Sequence, residues 1–108
     1  MANVPNTQGA NRGIAVAVAH SNTVQPNYLD QAELVLLHFF RGKYGMQIGW
    51  DRMREYVEYK LGDNQVPMSW GGLSRRLTGA GRMRDTGMMK KSVIGKTHGR
   101  KVPIYEIR

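Results

Sequence analysis

The sequence predicts an α+β domain of three helices, one short strand and a C-terminal β-hairpin, carried behind a flexible N-terminal arm. Three observations predict it. Apolar residues recur at helical spacing in three blocks between Asn27 and Ala80. That stripe disappears after Gly81, where two β-prone runs flank a turn-prone basic segment. Residues 1–26, rich in Asn, Gln, Ala and Gly, show no helical period and read as a mostly disordered arm. A chain of 108 residues is one domain's worth, with a single modest core. The expected division is an arm over 1–26 and a folded domain over 27–108.

In the arm, Pro5 and Pro26 act as breakers, and the one apolar run is Gly13-Ile14-Ala15-Val16-Ala17-Val18-Ala19. Behind Arg12 it imitates a signal-peptide core with an Ala-x-Ala end, but it is at the short limit for one. A mobile arm, or a strand added to a sheet edge, is the expected use. Ile14 to Val18 could also pair two arms across a homodimer or fold back on their own sheet. The first helix opens at Asn27, a capping residue type, with Asp30 in the first turn where the helix dipole favours negative charge. Leu29, Ala32, Leu36 and Phe40 form its stripe, widened by Leu34, Val35, Leu37 and Phe39, and it ends near Arg41-Gly42. After a turn at Lys43-Tyr44-Gly45, Met46-Gln47-Ile48 is long enough only for a short extended piece. A second helix puts Trp50, Met53, Val57 and Leu61 on one face and closes at Gly62-Asp63-Asn64. The third starts at Pro67 or Ser69, buries Trp70, Leu73, Leu77 and Ala80, and leaves Ser69, Gly72, Arg75, Arg76 and Thr78 largely outside. Gly79 and Gly81 end it. From Arg82 to Lys91 and again from Val102 to Ile107 the pattern is that of a hairpin with a long basic tip.

Charge is segregated along the chain. Residues 1–68 hold six Lys/Arg and six Asp/Glu, whereas residues 69–108 hold ten Lys/Arg against Asp85 and Glu106, which accounts for the net +8. Clustered cations of this kind attract a polyanion. Ribosomal proteins, membrane-surface peptides and proteins that grip acidic partners share such a composition, so charge defines only a class of partner. There is no cysteine, which excludes disulfides, thiolate metal sites and a thiol nucleophile. No run approaches the roughly eighteen apolar residues of a membrane span, so no membrane association is expected.

The order helix, short strand, helix, helix, hairpin is that of a winged helix-turn-helix domain. A recognition helix packs one face on its neighbours and presents small or polar residues on the other, so that its backbone approaches the major-groove floor. Ser69, Gly71 and Gly72 suit that approach, and Arg75 and Arg76 supply guanidinium forks for guanine edges or phosphates. Two glycines in the first turns cost about 1 kcal/mol each relative to alanine. They imply a tight steric demand, from DNA or from close helix packing, and either accounts for them.

The C-terminal forty residues resemble small winged-helix proteins encoded by bacteriophages. The resemblance rests on Pro67-Met68-Ser69-Trp70-Gly71-Gly72-Leu73-Ser74-Arg75-Arg76-Leu77, on Gly81 and Gly87, and on Thr97-His98-Gly99-Arg100-Lys101-Val102-Pro103-Ile104-Tyr105. It covers residues 27–108 in element order and is specific over 67–105. It implies DNA binding, with the Trp-Gly pair in the recognition helix, Thr97 to Tyr105 as wing and return strand, and the host cytoplasm as location.

The expected DNA-contacting residues are Ser69, Gly72, Arg75, Arg76 and Thr78 on the third helix, with Lys90, Lys91, Lys96, Thr97, His98, Arg100 and Lys101 on the hairpin. Ser69 and Thr78 would donate to phosphate oxygens, although Ser69 is equally an N-cap candidate. The tip from Lys96 to Lys101 would bend into a minor groove or lie along a phosphate strand; a flexible solvated turn is the alternative. His98 would contribute only when protonated. Gly95-Lys96-Thr97 lacks the upstream glycine of a phosphate-binding loop, since Lys90 stands there. Nothing in the spacing of His20, His38 and His98 suggests a metal site. No nucleophile or carboxylate-pair arrangement is identifiable, so a non-enzymatic protein without cofactor is expected. Trp50 and Trp70 read as core, whereas Tyr44, Tyr56 and Tyr59 in an exposed array would favour single-stranded or RNA binding. The other expectation is an adaptor or inhibitor whose basic face holds an acidic host protein.

Overall fold

A computed structural model describes the backbone from residue 3 to residue 108, and side chains from residue 13 onward except that of Lys96. The elements are α1 (Asn3–Val24), α2 (Tyr28–Phe39), β1 (Gln47–Gly49), α3 (Trp50–Leu61), a short 3-10 turn (Pro67–Ser69), α4 (Trp70–Gly79), β2 (Met83–Lys91), a second 3-10 turn (Gly95–Thr97) and β3 (Lys101–Ile107). The chain is thus α+β, with four helices and a three-stranded antiparallel sheet in the order β1-β3-β2.

The three expected helices form because their apolar stripes meet. Leu29, Ala32, Leu36 and Phe40 of the α2 region, Trp50, Met53 and Val57 of α3, and Trp70, Leu73 and Leu77 of α4 are all buried, joined by Met83, Tyr105 and Ile107 from the sheet. At the centre is a chain of edge-on aromatic contacts, Tyr28 to Trp70 at 6.4 Å, Trp70 to Trp50 at 6.3 Å and Trp50 to Tyr105 at 5.7 Å between ring centroids. These rings tie both ends of the helical layer to β3. Leu34 and Ala80, placed in the stripes by spacing, are exposed, because each lies beyond the arc its neighbours cover.

The N-terminal region departs from expectation. Asn3–Val24 is helical, and from residue 14 onward it packs on the domain: Ile14, Ala17, Val18 and Ser21, at i, i+3, i+4 and i+7, share one face, with Ala17 and Ser21 buried. Ile14 to Val18 therefore meet α4 rather than extending the sheet. The chain then turns at Asn27, which adopts a left-handed backbone (φ 65°) and makes no side-chain cap, so its expected capping role is replaced by a turning one.

In the sheet, Ile48 lies opposite Tyr105, and Lys91 opposite Lys101. Between Asp85 and Met89 the register slips through a bulge in which Gly87 takes φ 76° and the Thr86 hydroxyl donates to the Ile104 carbonyl at 2.7 Å. Among the described residues no helix is long and apolar enough to cross a membrane.

Candidate nucleic-acid interface

The turn between α3 and α4 is held by hydrogen bonds that a solvated loop would lack. The Asn64 amide donates to Ser69 Oγ at 3.0 Å and its Oδ1 accepts from the Val66 N–H at 2.9 Å, while Ser69 Oγ donates to the Val66 carbonyl at 2.6 Å. Ser69 is consequently fully buried and unable to meet a phosphate, and it makes no side-chain cap either. Of the expected contact residues, Ser69 is thus placed in the interior, its hydroxyl taken up by Asn64 and the Val66 carbonyl.

Gly72 is also buried, and a Cβ there would collide with Val18 Cγ2 of α1. The tight steric demand inferred from the paired glycines is therefore helix packing. A Cβ at Gly71 would sit 3.7 Å from Ile14 Cγ1, an ordinary contact.

Arg76 turns back onto α2, its Nη1 lying 2.7 Å from Asp30 Oδ1 and 3.7 Å from Glu33 Oε1. The structure thus withdraws this guanidinium from the outward face. Arg75 is exposed, and Thr78, half-buried, donates its hydroxyl to the Ser74 carbonyl at 2.9 Å. Gly71, Ser74, Arg75 and Thr78 line an open concavity of about 800 Å³, walled by Ile14 of α1 and by Met83, Arg84, Asp85, Tyr105 and Arg108. Its charges are partly internal: Glu106 lies 3.3 Å from Arg84 and 3.6 Å from Arg108. Burial raises the Tyr105 phenol above its usual range, opposed by a hydrogen bond with Ser74 and reinforced by Asp85.

The hairpin tip is built, not loose. Ser92, buried, donates to Asp51 Oδ2 at 2.8 Å and shares a hydrogen bond with Thr97 Oγ1 at 2.8 Å; Asp51, also buried at the start of α3, accepts from the Arg52 N–H through Oδ1 at 2.9 Å. Thr97, one of the expected contact residues, is buried in this network. Backbone bonds from Ser92 N to Arg100 O (2.8 Å) and from Gly99 N to Ser92 O (2.9 Å) close the loop on itself. Lys90 is half-buried with Nζ 3.7 Å from Asp51 Oδ2, so it belongs to the same anchor. Beside it, Arg54 lies over the Trp70 ring at 5.2 Å, and burial lowers its pKa, with Glu58 acting in the opposite sense.

What remains outward on the hairpin is Lys91, His98, Arg100 and Lys101, all exposed. The Lys96 side chain lies outside the described residues. Residues directly opposite in an antiparallel pair project from the same face, so the register puts Lys91 and Lys101 side by side. The sequence reading missed that α1 helps shape the surface, although the i, i+3, i+4, i+7 set from Ile14 to Ser21 carried the signal. Of the tyrosines, Tyr44 and Tyr59 are exposed, whereas Tyr56 packs against Phe39 at 4.6 Å, so the three do not form a stacking array. Among the described residues no group of three or more His, Asp or Glu could hold a metal ion. Compared with protein-family models, curated proteins and solved structures, the chain matches none.

Proposed function

We propose that this chain is a non-enzymatic double-stranded DNA-binding protein of winged-helix type, whose hairpin lies along the phosphate backbone. The observation that carries the reading is the cross-strand pair Lys91 and Lys101 with Arg100 beside it. Like charges directly opposite one another destabilise a sheet. Three exposed cations at the end of the hairpin, two on facing strands and one on the loop anchored from beneath by Asp51, Ser92 and Thr97, form a fixed surface, and a polyanion is the partner that relieves their repulsion. The strand order β1-β3-β2 and the succession from α2 onward support the winged-helix assignment. On that assignment α4 is the recognition helix and the 92–100 loop the wing. The phage-protein resemblance over 67–105 agrees with it.

The test is binding of a fluorescent random duplex across a salt series. The expected dependence is steep, and the Lys91→Ala, Lys101→Ala double variant should lower the salt slope by about 2, one counterion-releasing contact for each lysine. Its folding stability should hold or rise, since the repulsion is gone. Unchanged affinity and slope in a folded double variant would overturn the reading, and capture of an acidic protein by the same cations would replace it.

A further inference from the structure

We propose that α1 is a displaceable cover that keeps duplex DNA off the outward face of α4. The inference rests on the DNA-binding reading above and adds its regulation. Viewed along α4, Trp70, Leu73 and Leu77 face the core while Gly71 and Gly72 lie on the other side, against Ile14 and Val18. The helix is therefore sandwiched over its N-terminal half. A helix enters a major groove only if it stands proud of its surroundings. Here Gly71, Ser74, Arg75 and Thr78 are part of the lining of a concavity whose wall includes Ile14. With α1 docked, the duplex reaches the hairpin but not this face.

The cover is weakly made. Its contact face is Ile14, Ala17, Val18 and Ser21, of which Ala17 and Ser21 are buried while the two larger apolar side chains, Ile14 and Val18, stay partly exposed and so gain only part of their burial energy. Ser21 is fully buried and its Oγ has no hydrogen-bond partner among the described residues, an arrangement that opposes docking. The helix has no acid in its first turn and no base in its last, so its dipole is uncompensated. Gly9 and Gly13 in its interior lower its intrinsic helicity further. By contrast its C-terminal end is tethered: Gln25 donates to the Asp63 carbonyl at 2.9 Å and accepts from the Gln65 N–H at 2.8 Å. Weak docking along the body with a fixed end, followed by the left-handed turn at Asn27, describes a flap that opens about Gln25 to Asn27.

Two substitutions in the full chain shift this equilibrium in opposite directions. Ala17→Gln puts an uncharged bulky group into the buried contact and undocks α1 without repelling phosphate. Ser21→Ala removes the unpartnered hydroxyl and seats α1 more firmly. With a fluorescent random duplex at fixed salt, Ala17→Gln should tighten binding by about tenfold if the open form is about a tenth of the population, and Ser21→Ala should weaken it. Amide exchange over residues 14–21 reports the docking itself. Should Ala17→Gln fail to fold, the sign of the Ser21→Ala effect decides. If both folded variants bind as the unaltered chain does, with a steep salt slope retained, the cover is wrong and the hairpin reading stands. If none of the three binds duplex, the DNA reading fails and takes the cover with it.

Discussion

Ser92→Ala tests the claim that the hairpin tip is a built surface. The Ser92 hydroxyl donates to a buried carboxylate, Asp51 Oδ2, at 2.8 Å, is bonded to Thr97 Oγ1 at 2.8 Å and accepts from the Ile94 N–H at 3.2 Å. A hydrogen bond to a charged group contributes about 1.5–3 kcal/mol, and a neutral one about 1. Thr97 keeps a second partner in the Ile94 carbonyl at 3.1 Å, so its loss is partial, whereas among the described residues Asp51 Oδ2 keeps Lys90 Nζ, at the longer distance of 3.7 Å. The expected cost is therefore about 3 kcal/mol. A domain of this size has a stability of about 5–15 kcal/mol, so the melting temperature should fall by on the order of 10 °C. Urea unfolding followed by tryptophan fluorescence gives the number, since Trp50 adjoins Asp51 in the chain. Amide exchange at Gly99, bonded to the Ser92 carbonyl, shows whether the loss is local. A cost below about 0.5 kcal/mol would mean that the tip is solvated and that the rigidity assigned to the cation surface is absent.

Two further outcomes follow from neighbouring geometry. A Cβ at Gly49 would stand 2.5 Å from Asp51 Oδ1 and 2.9 Å from Lys90 Cε, and the carboxylate is held in place by Ser92 and the Arg52 N–H, so Gly49→Ala should cost about 2 kcal/mol. Combined with Ser92→Ala in the same unfolding assay, it should cost less than the sum, because both act on one carboxylate; strict additivity would count against the shared network. Tyr28 donates to the Gly62 carbonyl at 2.7 Å, and burial first, then Glu58 and Asp63, raise its phenol above the ordinary value. A group with a raised folded pKa stabilises fully below its unfolded pKa, about 10, and that contribution is lost as pH rises toward the folded value. Tyr28→Phe should therefore flatten the fall in stability measured between about pH 9 and 11, with a residual slope from Tyr105. Identical alkaline profiles would show that the phenol does not report burial.

The helical layer was legible because its stripes carry strong contrast. Leu29, Ala32 and Leu36, then Trp50, Met53 and Val57, then Trp70, Leu73 and Leu77 are apolar residues recurring at helical spacing, and each of them is buried. The short strand at Gln47–Gly49 and the hairpin were legible from β-prone runs between turns. α1 was not, for a physical reason: its packing face joins Ile14, Ala17 and Val18 to Ser21, and a buried serine scores as polar in any apolar count, which leaves too short an apolar stripe to register. Such a helix exists through docking rather than propensity. The polar residues of the candidate site failed in the same way. Ser69 and Thr97 look like DNA-contacting residues by type and by position, but each hydroxyl is bonded to partners that only the fold brings within reach, Asn64 and Val66 for one, Ser92 and Ile94 for the other.

Arg76 shows why charge counted along a chain differs from charge displayed in space. By sequence it belongs to the basic last forty residues and sits one position from Arg75 on a helix. By structure it is paired to Asp30 and Glu33, carboxylates of the half of the chain that balances in count. Asp51, from that same half, faces Lys90. Three acids of the neutral segment, Asp30, Glu33 and Asp51, therefore lie against two cations of the basic segment, Arg76 and Lys90. The exposed cation surface is then defined by register rather than by proximity in sequence: Lys91 and Lys101 are ten positions apart yet adjacent, because the loop between them closes through Ser92 and Arg100. A fold that sets two lysines opposite each other, with a buried anchor beneath and no acid between them in the strand pair, sustains a repulsion that a bound polyanion removes. That repulsion, more than the net charge of the chain, is what makes the hairpin the place where DNA binding should be sought.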